Sequence, residues 1–167
     1  REILEGVRRR CRPDFNLGLR LSPERFGLQL AEIRDLAQKL MREGQIDYLD
    51  MSLWDVGKEP MEEAFQGRSL MSYFTELERG QVRLGVAGKI MAAETARQCL
   101  RDGADFVLIG RAAILHHDYP KRIAADPGFT PVPLPVTREH LRAEGLGPAF
   151  IGYMNTWKGF VAETEPA

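Results

Sequence analysis

Cysteine is scarce. Only Cys11 and Cys99 occur in 167 residues, with no CxxC spacing. That argues against a disulfide scaffold or a cysteine-built zinc site, and a reducing cytoplasmic setting is expected. No apolar run approaches the roughly 18 residues of a membrane span, so no membrane partner is expected. Charge of one sign is also lacking: 23 Lys and Arg face 24 Asp and Glu, a formal net charge of −1. A nucleic-acid partner would call for a basic field, so none is expected, and the Arg8, Arg9, Arg10 and Arg12 cluster reads as a solvated helix end. No HExxH spacing exists, so no metal is expected; His116, His117 and His140 read as surface residues. Glu24, Glu32, Asp47 and Asp50 show no pairing of the kind a glycosidase needs. What is present is ordinary for a folded domain. Apolar residues make up 44% and charged residues 28%, and a chain this long can bury about two-thirds of its unfolded surface.

Alternating and helical patterns follow one another along the chain. REILEGVRRRCRP reads as the end of a helix, and no signal-peptide pattern opens the sequence. The chain is therefore expected to be processed or to be a piece of something longer. Leu17, Leu19 and Leu21 alternate with Gly18 and Arg20, which predicts a strand over 16–21. Ser22-Pro23-Glu24 supplies a helix-start signal. From Leu28 to Glu43, Leu30, Ile33, Leu36, Ala37, Leu40 and Met41 then recur at helical spacing, and Gly44 is placed to terminate the helix. Further strands are predicted over 48–52, 82–87 and 106–109, and helices over 69–79, 92–101 and a short stretch ending at Leu115. The run Phe106 to Ile109 is apolar throughout, as in a strand covered on both faces. Four βα units in sequence demand a parallel sheet with helical crossovers. The division is 1–125 for these units, 126–136 for an extended connector carrying four prolines, and 137–167 for a helical tail. Thr137 is placed to cap one tail helix. Phe150, Met154 and Trp157 form a stripe on another, spanning 149–161.

The segment most informative about chemistry is LGVAGKI, residues 84–90, followed by DGADFVLIGR, residues 102–111. Each strand ends in glycine at its carboxyl edge. There, backbone N–H groups can approach an anion unobstructed, and a following helix start adds partial positive charge. Paired glycine ends on the last two strands are what the phosphate site of a (β/α)8 barrel requires. Arg111 adds a guanidinium fork. Arg20, among strand leucines, is a cation that needs an anion beside it; Asp50 or Asp14 in a plain structural ion pair is the competing reading. Trp54, in the Ser52-Leu53-Trp54-Asp55 run, reads either as a wall of the ligand mouth or as a packing aromatic.

VRLGVAGKI, GADFVLIGR and FNLGLRLSPERFG together resemble the carboxyl-terminal half of the old yellow enzyme family, FMN-dependent NAD(P)H oxidoreductases, over roughly 7–123. The resemblance implies that these strands are the fifth to eighth of an FMN-binding TIM barrel. It implies that Arg20 faces the pyrimidine edge of the flavin, and that Gly88, Lys89, Gly110 and Arg111 hold its phosphate. The family often has Gly-Gly-Ile where this chain has Gly88-Lys89-Ile90, which preserves backbone contact but alters the loop.

The fold expected is therefore α/β, the carboxyl-terminal half of a TIM (β/α)8 barrel with four parallel βα units and a helical tail. The function expected is part of an oxidoreductase in which NADH or NADPH reduces FMN and the hydride passes to a small electron-poor acceptor. Catalytic residues are expected outside this chain, in an amino-terminal half-barrel. The isolated chain is expected to be inactive, and to need that half or a homo-oligomeric partner. Two rivals remain: another phosphate-binding barrel enzyme, such as an isomerase or synthase, and a non-catalytic half-barrel module.

Overall fold

The computed structural model of the chain describes residues 1–163; the last four residues of the expected tail lie outside them. Four strands, β1 (Gly18–Leu21), β2 (Tyr48–Ser52), β3 (Arg83–Ala87) and β4 (Phe106–Leu108), form one sheet in sequential order. Every neighbouring pair is parallel. The predicted α/β class and strand order are thus borne out. The helices are α1 (Glu2–Arg10), α2 (Leu30–Glu43), α3 (Ser72–Thr75), α4 (Ala93–Arg101), α5 (Arg111–Leu115), α6 (Tyr119–Ala125), α7 (Arg138–Ala143) and α8 (Pro148–Met154). No helix among the described residues is long and apolar enough to cross a membrane.

The chain divides into two compact units. One holds Arg1–Lys89 and Ala96–Leu108; the other holds Ile90–Thr95 and the residues from Ile109 onward. The sheet belongs to the first. Side chains alternate between its faces, so Leu49, Met51, Leu84 and Val86 share one face and are buried. Leu30, Ile33, Ala37, Leu40 and Met41 form the buried stripe of α2. The other face carries Gly18, Arg20, Tyr48, Asp50, Ser52, Gly85 and Phe106. A Cβ on Gly18 would come within 2.0 Å of the Tyr48 ring, and one on Gly85 within 2.4 Å of Phe106. The two rings lie across these gaps and meet edge to face at 5.7 Å.

Several expectations are corrected. Ser22-Pro23 starts no helix, because α2 begins eight residues later, where the Leu30 N–H is bonded by Glu62 Oε1 at 2.7 Å. The helix expected over 69–79 shrinks to α3. Strand β4 is only half-buried along its length, as an edge strand with neither face fully covered among the described residues. Arg8 does not sit in a solvated cluster. It bonds the carbonyls of Gln45 (2.6 Å) and Phe15 (2.7 Å) and pairs with Asp47 (2.8 Å).

The second unit builds its own core from Leu115, Val136, Leu141, Ile151, Met154, Phe160 and Val161. Val136 bridges to Val161 in parallel, so the end of the Pro-rich run is packed into this core. Thr137 caps α7 as expected, accepting from the His140 N–H at 3.1 Å. The expected Phe150–Met154–Trp157 stripe does not form: Met154 is buried with Ile151, while Phe150, Tyr153 and Trp157 are exposed. The helix also ends at Met154, which rotates Trp157 out of register with the buried face.

Candidate functional site

Arg20 and Asp50 are paired residues of the β1–β2 ladder and project from the same face of the sheet. Arg20 Nη1 lies 3.2 Å from Asp50 Oδ2, and Nη2 donates to Ser52 Oγ at 2.9 Å. The Asp50 side chain is 5% exposed, whereas that of Arg20 is 56% exposed. Burial pushes the Asp50 carboxyl above its usual range, and the Arg20 charge works in the opposite direction. Asp50 Oδ1 has no hydrogen-bond partner among the described residues. The ion pair that competed with a ligand-facing reading is therefore present, yet it occupies only part of the guanidinium. The remainder is open to solvent at the carboxyl end of the sheet.

The loops after β1 and β2 meet beside this pair in sequence. Glu24, 3% exposed, is ion-paired with Lys58, and its Oε1 accepts from the Met61 N–H at 2.5 Å. Arg25, Phe26 and Trp54 all have positive φ, at 74°, 54° and 66°. The Arg25 guanidinium lies 4.0 Å from the centre of the exposed Trp54 ring, and the Phe26 ring is 6.4 Å away. Left-handed backbone at non-glycine residues is strained and concentrates at ligand-handling loops. The sequence showed Trp54 but not Arg25 and Phe26; the signal available was Gly27 directly after them, a residue suited to a reversing turn.

Gly88 and Lys89 close β3. Gly88 has φ +155°, and a Cβ there would sit 2.6 Å from the Asp55 backbone nitrogen. The geometry thus explains Gly88 by close approach of its own chain. Lys89 Nζ is 2.8 Å from Asp55 Oδ2, and this bond, with the Gly57 N–H, holds the Asp55 carboxyl below its usual range against a burial effect that would raise it. The Lys89 ammonium is already engaged, which leaves its backbone as the group available to an anion.

Gly110 and Arg111 belong to the second unit, at the start of α5. A Cβ on Gly110 would meet nothing within 4 Å. Arg111 is half-buried and has no ion pair or hydrogen bond among the described residues.

His117 is exposed as expected, His140 is half-buried, and His116 departs from the surface expectation. His116 is buried against Phe129 and His140. Together with His140 and Glu144 it forms a group of metal-ligating types. The hydrogen bonds exclude ligation by His116, however. The Val132 N–H donates to its Nε2 at 3.0 Å, so the proton of the neutral ring is on Nδ1, which lies 3.5 Å from Glu144 Oε1. Burial first, with help from Arg122, keeps His116 below its usual value and therefore neutral near pH 7.

No family model matches the chain. Among curated proteins it is 27% identical over 125 residues to one named "Probable NADH-dependent flavin oxidoreductase YqiG", of Bacillus subtilis (strain 168); the match covers 73% of this chain and 33% of that protein. Among solved structures it resembles morphinone reductase in complex with tetrahydroNAD, with a TM-score of 0.56 and 23% identity, over 84% of this chain and 36% of the reductase. The old yellow enzyme resemblance is borne out. The chain spans about a third of the length of each of these two proteins. The likeness to the reductase shows the fold: four parallel βα units that match part of that structure's barrel.

Proposed function

We propose that this chain carries part of the FMN site of an NAD(P)H-dependent flavin oxidoreductase. The observation that supports it most is Arg20, a guanidinium held in place by Asp50 and Ser52 while more than half of it faces outward from the sheet. A fixed cation of this kind suits the pyrimidine edge of a flavin, which gains negative charge on reduction. Candidates for the phosphate occur in each unit taken by itself: the first offers the backbone N–H groups of Gly88 and Lys89, and the second offers Arg111, with an uncommitted charge, and Gly110, with open space beside it. FMN, when bound, supplies hydride chemistry between NADH or NADPH and a small electron-poor acceptor. Arg20 orients the flavin and favours its reduced form; Arg111 binds the phosphate; Trp54, exposed and stacked by Arg25, forms a wall at the mouth.

Catalysis also needs groups that hold and protonate the acceptor, and the family resemblance implies that these come from the amino-terminal half of the barrel. We therefore assign them to further barrel strands, supplied by additional sequence or by a second copy, and infer that these 167 residues alone are inactive. The two free cysteines suit a cytoplasmic protein. Purification of the intact protein tests the reading: a bound flavin absorbance band and NAD(P)H-driven reduction of an activated alkene are expected. Absence of flavin from intact, folded protein even after incubation with FMN overturns it.

A further inference from the structure

Asp50 is an expensive residue in its position. Its side chain is nearly out of water and one oxygen has no partner. A buried ion pair taken as a whole can often be replaced by well-packed apolar residues with no loss of stability, so such a pair is weak evidence of a purely stabilising role. The first unit does not need the charge to hold its strands together, since the β1–β2 ladder runs through Gly18 to Leu21 and the opposite face supplies the apolar packing. What Asp50 does do is meet Arg20. The residues are ladder partners, so the carboxylate approaches the guanidinium from the side of the neighbouring strand, and Ser52, two residues further along the same face, takes the second terminal nitrogen. Two anchors on one strand fix both the position and the plane of a side chain that would otherwise sample many rotamers. Their effects on charge differ: the hydroxyl leaves the guanidinium fully cationic, whereas the carboxylate cancels part of its field.

We propose that Asp50 is the positioning residue of Arg20, and that it limits how much of the Arg20 charge reaches the flavin. The proposal rests on the flavin reading above. Its chemical consequence is a moderated preference for the reduced flavin: Arg20 favours negative charge on the pyrimidine edge, and Asp50 offsets that preference. A neutral side chain at Asp50 releases the full field. Asp50 lies 3.2 Å from the guanidinium, and charges at such a separation shift ionic equilibria by about 1–3 powers of ten, so the change in the Arg20 field is the quantity the test reads.

The test uses intact protein loaded with FMN and sulfite as the probe, since sulfite adds to oxidised flavin and leaves negative charge at the pyrimidine edge. Asp50→Asn keeps an acceptor for Arg20 but removes the charge, and sulfite is expected to bind about tenfold more tightly. Asp50→Ser serves if the amide is not tolerated. Ser52→Ala, which removes an anchor but no charge, is expected not to tighten sulfite binding. A merely structural Asp50 would change the melting temperature and leave the sulfite constant alone; that result in a folded, flavin-loaded variant overturns the proposal. Arg20→Met separates the two readings. If it weakens sulfite binding while Asp50→Asn has no effect, only the role of Asp50 fails. If Arg20→Met also has no effect, the flavin reading of Arg20 and the proposal fall together.

Discussion

Glu24, from the loop after β1, and Lys58, from the loop after β2, form an ion pair in which the carboxylate is 4% and the ammonium 22% exposed. Glu24 also accepts from the Met61 N–H, so one side chain joins two loops that carry the strained residues Arg25, Phe26 and Trp54. Removing a single partner leaves the other charge stranded away from water. Lys58→Met is expected to destabilise the protein by about 3 kcal/mol. The double variant Glu24→Gln with Lys58→Met should recover most of that loss, because the amide still accepts from Met61. Urea unfolding of Lys58→Met, Glu24→Gln and the double variant gives the coupling, and equal losses in Lys58→Met and the double variant would contradict the account.

Asp47 should contribute to acid sensitivity alongside Asp55, whose carboxyl is also held below its usual range. The Leu17 N–H reaches Asp47 Oδ2 at 2.6 Å and Arg8 at 2.8 Å, and these bonds hold its carboxyl below the usual value. A folded-state value below the unfolded one gives stability that is present above the ordinary carboxylate range and is lost as pH falls through the depressed value. Asp50 has the opposite sign: its raised value means that ionisation works against folding as pH rises. Asp47→Asn is expected to lose about 1 kcal/mol at neutral pH, a modest figure because the site is half exposed. It should also flatten the acid limb of a melting-temperature profile. An unchanged acid limb would assign the sensitivity to other groups.

The strands were legible because leucine alternation and apolar runs are local signals, and the observed ends fall within two residues of those expected. The helical pattern of α2, from Leu28 to Glu43, was legible to within two residues of its start, but the group that begins it was not. Its first N–H is satisfied by Glu62, thirty-two residues away, whereas Ser22-Pro23 looks like a start and instead opens a strained turn. The burial of His116 is not legible for a related reason: its ring is packed against Phe129 and His140, and the group that satisfies its Nε2 is the distant Val132 backbone. Arg20 illustrates the limit at the candidate site. Its need for an anion was visible in the sequence, and Asp50 was among the candidates, but the second anchor at Ser52 appears only in the register of β1 against β2.

Gly85 offers a packing test of the sheet face that carries Arg20. A Cβ there would lie 2.4 Å from the Phe106 ring, well inside contact distance, so Gly85→Ala must displace an aromatic that also meets Tyr48 edge to face. Overpacking of this kind costs about 1–3 kcal/mol. Combining it with Phe106→Leu frees the space and should restore part of the loss in chemical denaturation. No loss from Gly85→Ala alone would show that the ring moves without penalty.

Arg111 is the sharpest test of the phosphate reading, because it has no other partner to explain it. Lys89 is tied to Asp55 and Gly88 is required by close approach of the Trp54–Asp55 backbone, so loss of function in variants of either residue would have two causes. Arg111, half-buried at the first position of α5, makes no ion pair or hydrogen bond among the described residues, and its removal should cost little stability. If its guanidinium meets the FMN phosphate, Arg111→Ala forfeits a charge-assisted contact worth about 1.5–3 kcal/mol, which corresponds to roughly 10- to 150-fold weaker FMN binding. Arg111→Lys should recover only part of the affinity, since a point charge replaces a planar fork. Titration of intact apoprotein with FMN, followed by quenching of flavin fluorescence, measures all three constants. Equal affinity in the wild type and Arg111→Ala would remove Arg111 from the site and leave the phosphate to backbone groups alone.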